Sequence, residues 1–295
     1  MREILIKKAQ LVNEGKVSQK DLLIKGDKIE KIGNHVSPNG NEEIIDASGL
    51  YLLPGWIDDQ VHFREPGLTH KATIASESRA AVAGGITSFI DMPNTNPQTT
   101  TQKALKDKLD LASNGSIANY GFLFGGTNDN LEDIKTLDVT QAAGLKLFLG
   151  SSTGDMLVDN EKVLKKIFSI TDLPIAVHCE DENIIRKNLA EQIAKYGGDI
   201  PIEKHPEIRS KVACYRSSSR AIQLAKATGA RLHVFHLSTA IETELFSNEK
   251  PLTEKKITAE VCVHHLWFSE EDYSQKGTLI KWNPAIKKVS DREAL

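Results

Sequence analysis

From residue 51 onward, apolar segments of strand length alternate with segments of helical periodicity, and this rhythm predicts a parallel α/β fold. Successive strand segments begin roughly 25–32 residues apart, the usual size of a βα unit, with one longer gap that predicts an insertion. Polar residues follow the carboxyl ends of nearly all these segments. A barrel brings every strand end to one mouth, whereas an open sheet uses only a few of them. We therefore predict a (β/α)8 barrel of the TIM type.

Residues 1–50 have a different texture. Their apolar alternation is short and is interrupted by Gly, Asn and Asp, which predicts a small β module and not a barrel unit. We place this N-terminal module at 1–50 and the barrel at 51–295. The strand segments of the module are EILIKKAQLV, KDLLIKGDKIEKIG and EEIIDASGLYLLPG.

The barrel region contains seven strand segments, one fewer than a closed (β/α)8 barrel requires. They read GWIDDQVHF, GITSFIDMPN, ANYGFLFGG, GLKLFLGSS, PIAVHCE, RLHVFHLS and ITAEVCVHH. Helix-like segments between them include HKATIASESRAAVAGG, DENIIRKNLAEQIAKYGG and SKVACYRSSSRAIQLAKATGA. The sequence ends in KWNPAIKKVSDREAL, which reads as the start of a helix. We expect the chain to be an incomplete copy of a longer protein, inactive and poorly folded on its own.

Composition points to a small soluble substrate. The chain has 295 residues, 40% of them apolar, with a net charge of −3 and a sequence pI near 6.3. Acidic and basic residues are interleaved, so neither a nucleic-acid surface nor a membrane surface is predicted. The 3 cysteines have no regular spacing, which favours reduced thiols in a cytoplasmic protein over disulfides.

Four residues at separate strand segments are candidate metal ligands: His62, Lys146, His178 and His236. A single histidine at a strand end is usually structural, but three at one barrel mouth favour a metal, and imidazole suits Zn²⁺. Lys146 lies among apolar neighbours. It is either a snorkelling or salt-bridged lysine, or a desolvated amine with a lowered pKa that reacts with CO₂ to give a metal-bridging carbamate.

Other polar residues near these ligands suit substrate binding. Arg64 follows His62 by two positions, so both side chains share a strand face, and its guanidinium could clamp a carboxylate. Asn94 and Asn283 are either substrate donors or turn residues. His264 and His265 are either site residues or packing residues behind the seventh strand.

The segments LLPGWIDDQVHFREPGLTHK and GGITSFIDMPNTNPQTT together resemble dihydroorotases of the amidohydrolase superfamily. The resemblance extends through GLKLFLGSSTG, VHCED, HLSTA, EVCVHHLWF and KWNPAIK, and so covers the whole chain. It implies a barrel with a two-part β-sandwich module, a centre of one or two zinc ions, and a function in pyrimidine (UMP) synthesis. The implied reaction is reversible hydrolysis of the cyclic amide of dihydroorotate to N-carbamoyl-L-aspartate, by attack of metal-bound hydroxide. A homodimer is a further expectation.

Carried over by position, the resemblance makes His62, His178 and His236 metal ligands and Lys146 the bridging carboxylated lysine. It also makes Arg64, Asn94 and Asn283 substrate contacts. Gln60 stands where the family pattern has histidine, and an amide oxygen is the weaker zinc donor. The catalytic aspartate of the family lies on an eighth strand, in a motif that residues 1–295 do not contain.

Two other functions stay open. A related cyclic amidase, such as an allantoinase or hydantoinase, would have no need of a cation at Arg64. A non-catalytic, dihydroorotase-like assembly partner is favoured by Gln60. It is disfavoured by the retention of Lys146, His178 and His236 together.

Overall fold

The computed structural model describes residues 2–150 and 156–295. Contacts divide the chain into two compact units, Met1–Trp56 and Ile57–Leu295. Across the described ranges, no helix is both long and apolar enough to cross a lipid bilayer.

The first unit is a five-stranded sheet in which β1 pairs with β2, β4 and β5, and β2 also pairs with β3. The first three strands are antiparallel, while β4 and β5 run parallel to β1. Leu5, Ala9 and Leu22 are buried along these strands. The strands are β1 Glu3–Asn13, β2 Lys16–Lys25, β3 Lys28–Gly33, β4 Glu43–Asp46 and β5 Tyr51–Leu52.

The second unit contains a seven-stranded sheet in the order β12-β11-β10-β9-β8-β7-β6. Its registered pairs from β7 to β12 are all parallel, as the apolar segments predicted. The strands are β6 Trp56–Val61, β7 Ile86–Asp91, β8 Asn119–Gly125, β9 Gly144–Phe148, β10 Ile175–His178, β11 Leu232–Val234 and β12 Ile257–Ala259. Each of the seven predicted segments therefore supplies one strand.

The seven-stranded sheet is strongly curled. Cys262 Sγ, just beyond β12, lies 3.2 Å from the Oε1 atom of Gln60 on β6. His233 on β11 lies 3.7 Å from Asp59 on β6. In a flat sheet of this order the first and last strands would be roughly 30 Å apart, since neighbouring strands are about 4.8 Å apart. The curl confirms a TIM-type barrel architecture with seven strands in the described residues.

Helices pack against this sheet, and several of those in the described residues begin at a residue whose side chain caps the helix N-terminus. Thr73, Thr101, Asn160, Asp181 and Ser210 each accept a hydrogen bond from a first-turn backbone N–H, the usual N-cap arrangement. The helices are α1 Ile74–Ala83, α2 Gln102–Gly115, α3 Leu131–Lys135, α4 Glu161–Ile170, α5 Glu182–Tyr196, α6 His205–Ile208, α7 Lys211–Thr228, α8 Ala240–Thr243, α9 Val263–Trp267, α10 Tyr273–Lys276 and α11 Val289–Ala294. Four 3₁₀ turns connect them at Ile202–Lys204, Leu252–Glu254, Glu270–Asp272 and Gly277–Ile280.

One strand differs from the sequence prediction. Lys146 lies in the middle of β9 and not at its carboxyl end. Every residue of β9 is buried, so the lysine is enclosed on both faces of the sheet. Ser151 and Ser152, the last residues of the predicted strand segment, lie outside the described residues.

Candidate metal centre and substrate-binding loops

The sheet brings His178 and His236 into direct contact although they are 58 residues apart. His178 is the last residue of β10, and His236 follows β11 by two residues. The Nδ1 atom of His178 lies 3.0 Å from the Nε2 atom of His236, and both residues are buried. Two nitrogen ligands about 2.0–2.1 Å from one tetrahedral Zn²⁺ are about 3.3 Å apart, so this spacing is close to that of a shared ion.

One ring nitrogen of the histidine pair lacks a hydrogen-bond partner in the described residues. The Nε2 atom of His178 lies 2.9 Å from Glu180 Oε2, and donation there leaves the Nδ1 lone pair facing His236. A proton on His236 Nε2 can satisfy that lone pair, but His236 Nδ1 is buried and has no hydrogen-bond partner among the described residues. A carboxylate that accepts from the far nitrogen of a ligating histidine is the common arrangement in metal sites. These residues therefore fit a bound cation.

Glu180 and Arg209 hold His178 in this orientation. Glu180 is fully buried and forms an ion pair with Arg209 NH1 through the same oxygen that contacts His178. Burial by itself raises the pKa of the Glu180 carboxyl. The hydrogen bond from His178 and the nearby positive charge of Arg209 oppose burial, and the pKa is lowered to about 2.

Lys146 is buried beside the same pair without an acceptor. In the described residues, its Nζ atom is buried, has no hydrogen-bond partner and forms no ion pair. The amine lies 4.1 Å from the ring centre of Phe235 and 4.9 Å from that of Phe148. Burial lowers the pKa of Lys146 to about 7. Within the described residues, these contacts fit neither a snorkelling lysine nor a buried salt bridge, and carboxylation of Lys146 stays a prediction.

His62, the third predicted histidine ligand, lies at one edge of the sheet, and no contact between it and His178 or His236 is found in the described residues. It follows β6 directly, its side chain bonds to Asn94, and it lies within electrostatic reach of Arg64 and Lys146. Although His62 keeps some solvent exposure, loss of water around the ring lowers its pKa to about 3, and the two cations act in the same direction. Burial also lowers the pKa values of His178 and His236. All three rings are therefore neutral near pH 7, the form that binds metals.

Arg64 lies in a tight turn that is pinned to the loop after β7. Arg64 has a φ of 69°, and its carbonyl accepts from Leu68 N at 3.1 Å. Asn96 N donates to Pro66 O at 3.1 Å. A Cβ atom on Gly67 would lie 1.9 Å from the Asn96 carbonyl oxygen, so only glycine permits this approach. The REPG segment, residues 64–67, is thus in contact with Asn96, which directly follows the MPNT segment, residues 92–95.

A buried ion pair holds the backbone of both loops, the one after β6 and the one after β7. Lys108 Nζ on α2 lies 2.7 Å from Asp91 Oδ2 at the end of β7, and neither side chain is exposed. Asp91 Oδ1 accepts from Phe63 N at 2.9 Å, between His62 and Arg64. Lys108 also donates to Met92 O at 2.7 Å. This network fixes the backbone that presents His62 and Arg64.

Two residues with predicted site roles, Gln60 as a metal ligand and Asn283 as a substrate contact, do not lie with the other predicted site residues in the described parts of the chain. The side chain of Gln60 contacts Cys262, and no contact of Gln60 with His62, Lys146, His178 or His236 is found in the described residues. Asn283 is exposed between the turn Gly277–Ile280 and α11, and no contact joins it to the histidine pair in that same part of the chain. Their site roles stay predictions.

Sequence analysis did not predict two buried ion pairs that support the site, namely Asp91 with Lys108 and Glu180 with Arg209. The sequence could have indicated a buried ion pair at Asp91, because this acid ends the apolar segment ITSFID. A charged residue at the end of a buried strand needs a partner. Lys108 had no such signal, because α2 also contains the exposed lysines Lys103 and Lys106. Arg209 directly follows the short helix α6, and nothing in that segment singles it out.

Comparison with known proteins agrees with this geometry. The sequence profile described as the Amidohydrolase family matches residues 51–279. The chain belongs to the amidohydrolase family. It is 34% identical to a dihydroorotase of Methanosarcina mazei, over 100% of this chain and 65% of that protein. It is 32% identical to an allantoinase of Bacillus velezensis, over 99% of this chain and 65% of that protein. The chain thus spans about 65% of the length of these relatives.

Solved structures of this family have the same fold. An L-hydantoinase from Arthrobacter aurescens superposes with a TM-score of 0.92 at 25% identity, over 100% of this chain and 66% of that one. A D-hydantoinase superposes with a TM-score of 0.85 at 26% identity, over 99% of this chain and 65% of that one. The relatives named from sequence are a dihydroorotase and an allantoinase, and those named from structure are hydantoinases.

Proposed function

We propose that this chain carries the metal centre and the substrate-binding loops of a dihydroorotase that acts in pyrimidine synthesis. The observation that carries the proposal is the buried His178–His236 pair, 3.0 Å apart, with His62 on a neighbouring loop in electrostatic reach of both Lys146 and Arg64. A metal site beside a free guanidinium suits a cyclic amide that bears a carboxylate. Dihydroorotate has both groups.

His62, His178 and His236 would hold the cation, and Zn²⁺ suits three neutral imidazoles. Lys146, in its neutral form, would add to CO₂ and release one proton to solvent, and the anionic carbamate formed would be a further oxygen ligand for the metal. A bound cation supplies a water of lowered pKa and polarises the amide carbonyl. Glu180 and Arg209 keep the His178 ring in its ligating orientation.

Arg64 would bind the substrate carboxylate through two parallel N–H···O bonds, and Asn94 would donate a further hydrogen bond. The buried Asp91–Lys108 pair would keep the backbone that carries Arg64 fixed. We assign no residue of this chain to delivery of the proton to the leaving nitrogen.

The decisive experiment measures turnover of dihydroorotate, allantoin and hydantoin by the zinc-loaded full-length protein. We expect turnover of dihydroorotate, and a loss of about 100-fold in kcat/KM on Arg64→Ala, since that change removes a bidentate ion pair. Arg79→Ala, an exposed arginine on α1, is the matched control and should keep full activity.

An allantoinase or hydantoinase is the second candidate, because the L-hydantoinase superposes with a TM-score of 0.92. Turnover of hydantoin or allantoin that survives Arg64→Ala, with none of dihydroorotate, would select it. Absence of both metal and turnover would instead favour the non-catalytic partner that Gln60 suggested.

A further inference from the structure

A second group of ligating side chains lies just beyond β12. Cys262, His264 and His265 each offer one ligand atom, and the three atoms lie within 4.8 Å of one another. Cys262 precedes α9, and both histidines lie within it. This cluster shares no residue with the His62, Lys146, His178 and His236 set.

His265 carries the strongest sign of a missing partner. It is only 3% exposed, and its Nε2 atom lies 3.2 Å from the carbonyl oxygen of Pro284. A carbonyl only accepts, so Nε2 carries the proton and Nδ1 keeps its lone pair. That Nδ1 atom is buried and has no hydrogen-bond partner within residues 2–150 and 156–295. An imidazole fixed by a backbone carbonyl on one nitrogen, with a bare second nitrogen, is the common state of a metal-ligating histidine.

The neighbours of the cluster hold it in place. The ring of His264 stacks on Trp282, with centroids 4.4 Å apart and an angle of 9° between the planes. Cys262 Sγ lies 3.2 Å from Gln60 Oε1, which adds an oxygen at the edge of the cluster. A thiolate with two imidazoles is a donor set that favours Zn²⁺ over Mg²⁺ or Ca²⁺.

We propose that Cys262, His264 and His265 form a second, separate site for a borderline-soft divalent cation such as Zn²⁺. Binding forms a bond from the Cys262 sulphur to the ion and releases the thiol proton to solvent. Through His264 on Trp282 and His265 on Pro284, a bound ion would fasten the end of β12 to segment 281–287. The proposal does not depend on the substrate of the enzyme.

Cobalt(II) is the probe, because thiolate ligation gives a near-ultraviolet charge-transfer absorption that nitrogen and oxygen ligands do not give. The metal-free protein is titrated with cobalt. We expect the thiolate absorption in the unchanged protein and its loss in Cys262→Ser. Cys214→Ser, which removes another buried cysteine of the same unit, should keep it. No thiolate absorption in the unchanged protein, or equal loss in both variants, would overturn the proposal.

A second variant tests that the site is separate and guards against misfolding. His178→Asn should weaken cobalt binding at the main centre and leave the thiolate absorption in place. Loss of that absorption in His178→Asn would show a single shared site. If Cys262→Ser does not fold, His264→Gln serves instead, and it should weaken the cobalt binding that gives the thiolate absorption by about 10-fold or more. Unchanged affinity in His264→Gln would contradict the proposed ligand set.

Discussion

At the scale of single residues, the ion pair of Lys108 with Asp91 illustrates how a buried charge can serve a site it does not touch. Both side chains are inaccessible to water and their charged atoms are 2.7 Å apart. The second oxygen of Asp91 accepts from the backbone of Phe63, which connects the pair to the His62 and Arg64 backbone. Removal of the lysine leaves a buried carboxylate without a counter-charge.

Lys108→Met is expected to lower the free energy of unfolding by about 3–5 kcal/mol, the usual result of breaking a buried pair on one side. Urea unfolding measures it. Lys106→Met on the same helix removes an exposed pair with Asp110 and should change stability by less than about 1 kcal/mol. Equal effects of the two changes would contradict the role given to Lys108.

Asp21 is a second residue whose environment makes a prediction, now in the β module. Its two carboxylate oxygens accept from Lys8 N at 2.8 Å and Val36 N at 2.9 Å. The hydrogen bond from Val36 lowers the pKa of Asp21 below its ordinary value of 3.8, and partial burial opposes it. A carboxyl with a lowered pKa in the folded state stabilises the protein above that ordinary value, and this contribution is lost as pH falls through the lowered value.

Asp21→Asn should therefore reduce the unfolding temperature at pH 7, and the difference from the unchanged protein should narrow as pH falls below 3.8. Thermal unfolding over a pH series measures this. Asp27→Asn, at an exposed turn position, is the control and should have little effect at any pH. A difference that widens toward low pH would be the opposite sign and would refute the assignment.

At the scale of elements, the site depends on two loops and not on the strands alone. The turn after β6 approaches the loop after β7 so closely that Gly67 has no room for a side chain beside Asn96. Gly67 also has a φ of 80°, where a side chain is strained whatever the space. The close approach and the backbone strain can be separated by comparison with another glycine.

Gly67→Ala should destabilise the protein by about 1–3 kcal/mol more than the strain at positive φ alone, because the new methyl group must push the loops apart. It should also raise KM through displacement of Arg64. Gly49→Ala is the matched control. Gly49 has the same φ of 80°, but a Cβ atom there would meet nothing within 4 Å. Similar costs at the two positions would show that the loops are not held in contact.

At the scale of the whole molecule, metal binding and folding should be linked. His178 is on β10, His236 follows β11 and Lys146 is on β9, so the ligands converge only when neighbouring strands are paired. A ligand that binds only the folded chain stabilises it by mass action. A metal ion bound at the predicted centre would therefore hold the three adjacent strands β9, β10 and β11 together.

Zinc at 100 times its dissociation constant should raise the free energy of unfolding by about 2.7 kcal/mol, and chelation should reverse the gain. His236→Asn should shrink that increment, while His70→Asn at an exposed position should retain it. Calorimetry of the metal-free and zinc-loaded proteins provides the measurement. A full increment in His236→Asn would remove His236 from the ligand set.

The sequence by itself determined the order and type of the elements. Strand segments that are apolar on both faces predict parallel strands, because only burial under helices keeps such strands from water. It also placed His62, His178 and His236 at or beside the ends of their strands, since position along a strand is a local property. The seven predicted strands and the parallel sheet are confirmed by the structure and the family comparison.

Only the tertiary structure decided which distant residues meet. The 3.0 Å contact of His178 with His236, the isolation of Lys146 and the cluster at Cys262 depend on strand register and on the curl of the sheet. Periodicity records which face of a segment is buried, but not which side chain of another segment lies opposite it. Lys146 could thus be read from sequence as paired or free, and only the structure shows it buried within β9 near two aromatic rings.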